Sequence, residues 1–411
     1  MPLTRRSIHA GALATGGWCA VAMGLSIPIS TALDNILLAA TALAWLVALA
    51  ADPGRTLAPL RGRPAVLAAL TLFALIALGT LYGAASDAEA QRALGKYLDL
   101  LFLPIALTVF GDARMRRLGL LAFAAGVGID IALSYAAAAG LLANFTLLPR
   151  PPQYPFGFRL SITHGIMAAL TALLLALWAT RMPDRRLRLV LALLALVALH
   201  NTLFIGIGRT GYLVVTALVL YFAATRLGGP RGLAVALLAA SAAVGGAYVA
   251  SDRFAQRVDR AATELRAWQP GTGTTTSIGQ RLEFYRNTAA IVAAHPLIGV
   301  GTGGFAGAYA RQVAGTDMQP TANPHSDYLL IAVQIGLAGL AALLALYAAL
   351  WIEAGRLSEP LERHLLRGLV LTIALGGVFN SLLLDHTEGL LFAWMAGLTL
   401  AARSAPARPL A

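Results

Sequence analysis

Apolar stretches long enough to cross a bilayer recur along this chain from end to end, and they limit what it can become. A helix rises about 1.5 Å per residue, so ~20 apolar residues span the hydrocarbon core of a membrane. Runs of that kind fall at residues 9–27, 30–51, 64–85, 93–111, 117–142, 160–180, 188–207, 210–226, 231–250, 326–352, 366–384 and 388–404. Backbone polar groups in lipid must be satisfied within the protein, and a helix does so within a single segment. The expected architecture is therefore all-α: one polytopic transmembrane domain over residues 1–411, with about twelve helices and both termini on one side. Composition agrees. Charged residues make up 12% and hydrophobic residues 58% of the chain, whereas a soluble domain carries roughly 25% charged residues. With so little polar surface, the bilayer must act as solvent.

Arg5 and Arg6 precede an apolar run from Gly11, as in a signal peptide, but further runs follow at once, so an uncleaved signal anchor is expected. Cys19 is the only cysteine, which leaves no internal disulfide and no thiolate metal site. The formal charge of +12 is explained by anionic lipid head groups and the positive-inside bias, so no nucleic acid is implied. A cytoplasmic N-terminus puts Arg55, Arg61, Arg63, Arg114, Arg116, Arg117, Arg181, Arg185 and Arg186 in short inner turns, as that bias requires.

The basic residues left on the outer side are then Arg92, Lys96, Arg150, Arg159, Arg209, Arg253, Arg257, Arg260, Arg266, Arg281, Arg286 and Arg311. Many belong to one long outer loop, residues 251–325, between spans nine and ten. Long loops translocate regardless of charge. Arg209 is different, because it sits in a tight outer turn, Gly208-Arg209-Thr210-Gly211. Lys96, the only lysine, lies just inside a span. Charges so placed are costly unless they face a wet cavity or a partner.

Within the loop, residues 253–268 read as a basic amphipathic helix. Phe254, Val258, Ala261, Leu265 and Trp268 share one face, and Arg257, Arg260 and Glu264 the other. Such a helix suits a membrane surface. Residues 271–277 read as a flexible hinge. A second helix, about 279–294, carries Arg281, Glu283, Tyr285 and Arg286 and stops at His295-Pro296. Gly301-Thr302-Gly303-Gly304 reads as a turn, and Asn323-Pro324-His325-Ser326 opens the next span.

His325 stands at the outer mouth of that span beside Asn323, Ser326 and Asp327. An imidazole with a pKa near 6.5 can act as a base at neutral pH, or it can simply cap the helix. Arg209 and Arg281 suit a phosphate-type anion, since a guanidinium presents paired donors. Their alternatives are a snorkelling arginine and a solvated helix face. Arg159, in Phe158-Arg159-Leu160-Ser161, and Lys96 complete an outer ring of positive charge, although Lys96 could instead pair with Asp99 three residues on. Arg286, and Asp385 in the last outer turn beside His386, are further candidates for substrate contact. Asp130, His164, His200, Asn201 and Glu388 are intramembrane polar residues, of the kind that carries protons in a transporter or bonds across helices in a bundle. His325 and Asp327 form no metal-binding motif, and there is neither a P-loop nor a dinucleotide fingerprint, so no metal and no nucleotide cofactor are expected.

The run from Asn323-Pro324-His325-Ser326-Asp327-Tyr328 through Gln334-Ile335-Gly336 resembles the histidine motif of the O-antigen ligase and polymerase superfamily. Gly208-Arg209-Thr210-Gly211, Gln280-Arg281-Leu282 with His295-Pro296-Leu297-Ile298-Gly299-Val300-Gly301, and Lys96-Tyr97-Leu98 agree in order and topology. Ser326 and Gln334 stand where the family usually has Asn and Glu. The resemblance implies a membrane-embedded (GT-C-like), inverting glycosyltransferase in the inner membrane of a Gram-negative bacterium, independent of metal and ATP. It would move O-antigen from undecaprenyl diphosphate onto lipid A-core at the periplasmic face. In that reading Arg209 and Arg281 grip the diphosphate, Lys96 and Arg159 support them, and His325 removes the acceptor proton.

Three alternatives remain. A polymerase would use the same donor with a second lipid-linked glycan as acceptor. A protein-glycosylating relative usually carries an additional C-terminal region. A lipid-linked oligosaccharide transporter should show charge along a path through the membrane and internal repeats, and neither is apparent here.

Overall fold

A computed structural model describes residues 4–142, 154–206, 208–250, 252–271 and 276–402. Arg150 and most of the expected hinge at 271–277 lie outside them. Among the described residues there is no β-strand. α1 (Arg5–Ser26) and α2 (Thr31–Ala51) form a hairpin, each capped by a hydroxyl: Thr4 accepts the Ser7 N–H and Ser30 accepts the Leu33 N–H. The short α3 (Pro53–Leu57) and α4 (Pro64–Leu78) each open on proline, which tolerates the first turn. α5 (Asp87–Gly95) starts with a capping box between Ser86 and Glu89. Then come α6 (Phe102–Val109), α7 (Ala113–Ala138), α8 (Ser161–Ala179), α9 (Arg185–His200), α10 (Arg209–Leu227) and α11 (Gly229–Ala250). The long loop holds α12 (Asp252–Ala267), α13 (Ser277–Ala294) and α14 (Phe305–Gln312). α15 (Asp327–Arg356), α16 (Pro360–Phe379) and α17 (His386–Leu400) complete the chain.

Among the described residues, eight helices are long and apolar enough to cross a membrane: α1, α2, α4 extended to Leu81, α7, α8, α9 extended to Ile205, α10 and α15. The other four expected spans take different forms. The run at 93–111 divides into the end of α5, a 3-10 turn and α6. The run at 231–250 lies within α11, a 22-residue helix. α16, which holds 366–384 as far as Phe379, opens with Glu362, Arg363 and Arg367. α17 has 15 residues and is wrapped by other helices, with every side chain from Leu390 to Leu400 buried. Trp394 packs edge-on to Phe110 at 5.8 Å and donates its indole N–H to the Ala20 carbonyl at 2.8 Å. Gly397 lets α6 approach so closely that a Cβ there would lie 2.6 Å from the Leu103 carbonyl oxygen.

The outer helices show the complementary pattern. Ile36 and Leu43 on α2 are 65% and 64% exposed, and Leu193 and Leu196 on α9 are similarly bare. In water each would forgo the roughly 1.5–3 kcal/mol that burying such a side chain gives; in a bilayer, lipid covers them. The chain is an all-α membrane protein.

One irregularity shapes the loop face. α15 kinks at Ile335 and Gly336, where the backbone leaves helical angles and Gly336 takes φ 69°. The glycine-rich loop docks into that kink: Val300 N–H donates to Val333 O at 2.8 Å, Gly301 N–H to Gln334 O at 2.9 Å, and Leu337 N–H to Pro296 O at 2.8 Å. A Cβ on Gly336 would collide with the Leu297 carbonyl. The Gln334 side chain accepts from Gly303 N–H at 2.9 Å and donates to the Tyr97 hydroxyl at 3.3 Å. Two stretches noted separately in the sequence, around Tyr97 and around Gln334, thus meet in one hydrogen-bonded joint.

Candidate functional site

Four separate segments converge at the loop end of the bundle: the start of α10, the middle of α13, residues 323–327 ahead of α15, and the turn after α16. The apolar run expected to continue to residue 384 breaks at Phe379, and Asn380 is extended. Its side chain donates to Thr210 Oγ1 at 2.8 Å, tying this turn to the start of α10. Ser381 Oγ donates to Asn323 Oδ1 at 2.7 Å, and the same oxygen accepts the His325 N–H at 2.8 Å. The buried Asp327 carboxylate accepts the N–H groups of Leu382 and Leu383, each at 3.1 Å. Tyr285 on α13 places its hydroxyl 2.6 Å from the Val378 carbonyl oxygen and 3.2 Å from that of His325.

This lacing fixes His325 in a left-handed backbone conformation, φ 57°, which is uncommon for a residue with a Cβ and better tolerated by His, Asn and Asp than by most. Its ring stacks on Phe284, 5.9 Å between centroids and 25° between planes. Among the described residues no hydrogen bond engages the ring nitrogens, and the side chain of Ser326, not that of His325, caps α15 by accepting the Leu329 N–H. Burial, and next the charge of Arg281, hold the imidazole below the ordinary histidine value of 6.5, so it is neutral at pH 7.

Arg281 makes no hydrogen bond and no ion pair among the described residues. Burial lowers its pKa; the neighbouring Tyr285 opposes this and the charge of Arg209 adds to it. Arg209 is the first residue of α10, behind Gly208, whose lack of a side chain leaves the helix start without a side-chain cap. Its Nη1 is buried without an acceptor, 3.7 Å from Glu264 Oε2 and too far for a hydrogen bond. Two guanidiniums that repel each other therefore stand beside an open helix N-terminus, with at most one distant carboxylate between them. Partly desolvated cations of this kind are stable beside an anion.

The amphipathic helix of the loop forms as α12, with Arg257 and Glu264 turned inward and Arg260 exposed. Arg257 donates to the Gly206 carbonyl at 3.1 Å and to the Tyr212 hydroxyl. Glu264 accepts the Ile278 N–H at 3.2 Å. Trp268 gives its indole N–H to the buried Glu283 at 3.0 Å, and Glu283 also accepts the Gly271 N–H at 2.9 Å. Val258 and Leu265 face outward, exposed.

The remaining sequence candidates make other contacts. Arg286 sits 3.6 Å from Glu283, one turn behind it on α13, and stands against Gly271. Arg159 is buried and fully engaged: its guanidinium donates to Asp34 at 2.9 Å, to Thr31 Oγ1 at 2.6 Å and to the Ile27 carbonyl. Lys96 is exposed at the end of α5, and its charge bears on Asp385, whose pKa burial raises and Lys96 lowers. Asp99 does not pair with Lys96; its carboxylate takes His386 Nδ1 at 3.0 Å. No hydrogen bond or ion pair among the described residues joins Lys96, Arg159, Arg286 or Asp385 to Arg209, Arg281 or His325. Asp130 and Asn201 hold the two nitrogens of His164, each at 2.6 Å, which is a cross-helix bond network. Among the described residues no three His, Cys, Asp or Glu side chains gather to hold a metal ion.

Since breaking a buried ion pair leaves an uncompensated charge, Arg159→Ala is expected to cost about 3–5 kcal/mol of stability. Thermal unfolding in detergent would register that loss, and surviving folded protein should keep its turnover. Asn380 and Ser381 were not singled out from the sequence, although the polar pair interrupting an apolar run was visible there, and Tyr285 was noted there with no role assigned.

A family model described as O-antigen ligase matches residues 194–344. The match runs from α9 into α15 and takes in Arg209, Arg281 and His325. No curated protein matches the chain. The family's members are glycosyltransferase-like enzymes of lipopolysaccharide synthesis. Over the matched segment, which holds the arginine and histidine motifs, the chain is similar to the O-antigen ligase family, and the helical membrane bundle accords with that likeness.

Proposed function

We propose that the protein is an O-antigen ligase of the Gram-negative inner membrane, with both termini cytoplasmic and the 251–325 loop periplasmic. It transfers O-antigen from undecaprenyl diphosphate to a sugar hydroxyl of lipid A-core. The observation that carries this reading is the pair Arg209 and Arg281, short of anionic partners, beside a neutral His325.

The acceptor hydroxyl oxygen attacks the anomeric carbon as the bond from that carbon to the diphosphate oxygen breaks, with inversion. His325 takes the hydroxyl proton. The departing undecaprenyl diphosphate gathers negative charge, which Arg209, Arg281 and the open start of α10 stabilise without reorganising. α12 roofs the site, its apolar side resting on the membrane surface. No residue in this scheme needs a metal or ATP.

Deleting the gene and examining extracted lipopolysaccharide tests the reading. Core without O-chain, with polymer accumulating on undecaprenyl diphosphate, is the expected outcome. Core bearing a single repeat would make the protein a polymerase.

A further inference from the structure

We propose that the splay between α8, α9 and α10 is a binding groove for an anionic phospholipid, at the end of the bundle away from Arg209 and His325. It does not depend on the transfer reaction.

Near the candidate site these helices touch. A Cβ on Gly165 would lie 3.1 Å from Gly211 Cα, and one on Gly211 would lie 3.0 Å from Thr202 Cγ2. That contact closes the space between them on the side of Arg209. Further along the helices diverge, and a cavity of about 460 Å³ opens, walled by alanines of α8 and α9 (Ala172, Ala176, Ala195) and by Leu218 and Phe222 of α10. Left empty, an apolar space of this kind forfeits dispersion contacts along all its walls.

The rim is cationic. Arg188 and Thr180 belong to the lining. Arg226 donates to Thr180 Oγ1 at 2.6 Å, and its guanidinium lies 5.5 Å from the Phe222 ring centre. Arg188 holds the Met182 carbonyl with Nε and Nη2, at 3.2 and 2.9 Å, which leaves Nη1 available. Neither arginine has an ion pair among the described residues. The positive-inside bias accounts for arginines at this end, but not for two of them bordering an apolar slot. An acyl chain in the slot with its phosphate between Arg188 and Arg226 satisfies both features. A lipid seated there also braces α10, the helix that carries Arg209 at its other end.

The test is native mass spectrometry of the full-length protein in detergent, titrated with phosphatidylglycerol, phosphatidylcholine of the same chains, undecaprenyl phosphate and inorganic phosphate. The expected result is one equivalent of phosphatidylglycerol held at least about tenfold more tightly than phosphatidylcholine, since each arginine near a lipid surface contributes about fivefold. Inorganic phosphate should not compete. Arg188→Gln with Arg226→Gln should bring the ratio close to one, and Ala176→Phe should remove both lipids. If Ala176→Phe does not fold, the double glutamine variant decides. Equal binding of the two lipids, an unchanged ratio in the double variant, or competition by inorganic phosphate would overturn the proposal. So would tighter binding of undecaprenyl phosphate, which would make the groove a channel for the donor's tail.

Discussion

His325→Asn should lower glycan transfer by about 10²–10⁴-fold, the range a general base contributes, while the protein still folds and still binds the lipid-linked donor. Asparagine is the informative replacement because it tolerates the left-handed backbone at this position, φ 57°, better than alanine does. It therefore removes the base without straining the turn. The pH dependence has a definite sign. Burial and Arg281 push the imidazole below 6.5, so the base is present at neutral pH and is lost as pH falls through that lowered pKa. The acid limb of kcat/KM should have its midpoint below 6.5 and should vanish in His325→Asn. Donor binding brings negative charge to Arg281, which weakens its effect on the imidazole, so the limb of kcat should lie at higher pH than that of kcat/KM. Steady-state rates across pH 4.5–8, with the donor varied, would measure both.

Arg281→Ala should cost about 10²–10³-fold in kcat, as when one preorganised donor to a developing anion is removed. Arg281→Lys keeps the charge and loses the paired donors, so it should recover only part of that loss. Because Arg281 has no ion pair or hydrogen bond among the described residues, neither variant strands a protein partner, and unfolding temperatures should change little. If Arg281→Lys restored full turnover, charge alone would be at work and the paired-donor role would fall. A parallel upward shift of the kcat/KM acid limb in Arg281→Ala is a separate signature, because the removed charge is one cause of the lowered histidine pKa.

Hydropathy made the membrane architecture legible, since lipid leaves the backbone few options. It read less well where protein replaces lipid around a helix. α17 has only 15 residues because its surroundings are side chains of the bundle, and the run at 93–111 breaks because Asp99 and Tyr97 are held by His386 and Gln334. Arg209 was legible as a candidate because it sits in a tight turn where a charge has no local reason to be, His325 because it stands at the mouth of a span, and Arg281 through the paired donors of its guanidinium and the motif around it. Arg159 was a candidate as well. Its partner Asp34 lies 125 residues away, and no local pattern announces that pairing. The pairing of Arg286 was more accessible, because Glu283 stands three residues before it on the same helix. Tyr285, Asn380 and Ser381 act by holding backbone, a role that depends on tertiary contact and leaves little trace in composition.

The most direct test is transfer by the purified full-length protein from undecaprenyl-diphosphate-linked O-antigen to lipid A-core, in the presence of EDTA, with the anomeric configuration of the product determined. The expected result is a lipid A-core conjugate of inverted configuration from the wild-type protein, and almost none from His325→Asn although it still retains donor. Retention of configuration, or transfer by His325→Asn at the wild-type rate, would contradict the assignment of His325 and the two arginines to a single displacement at the diphosphate.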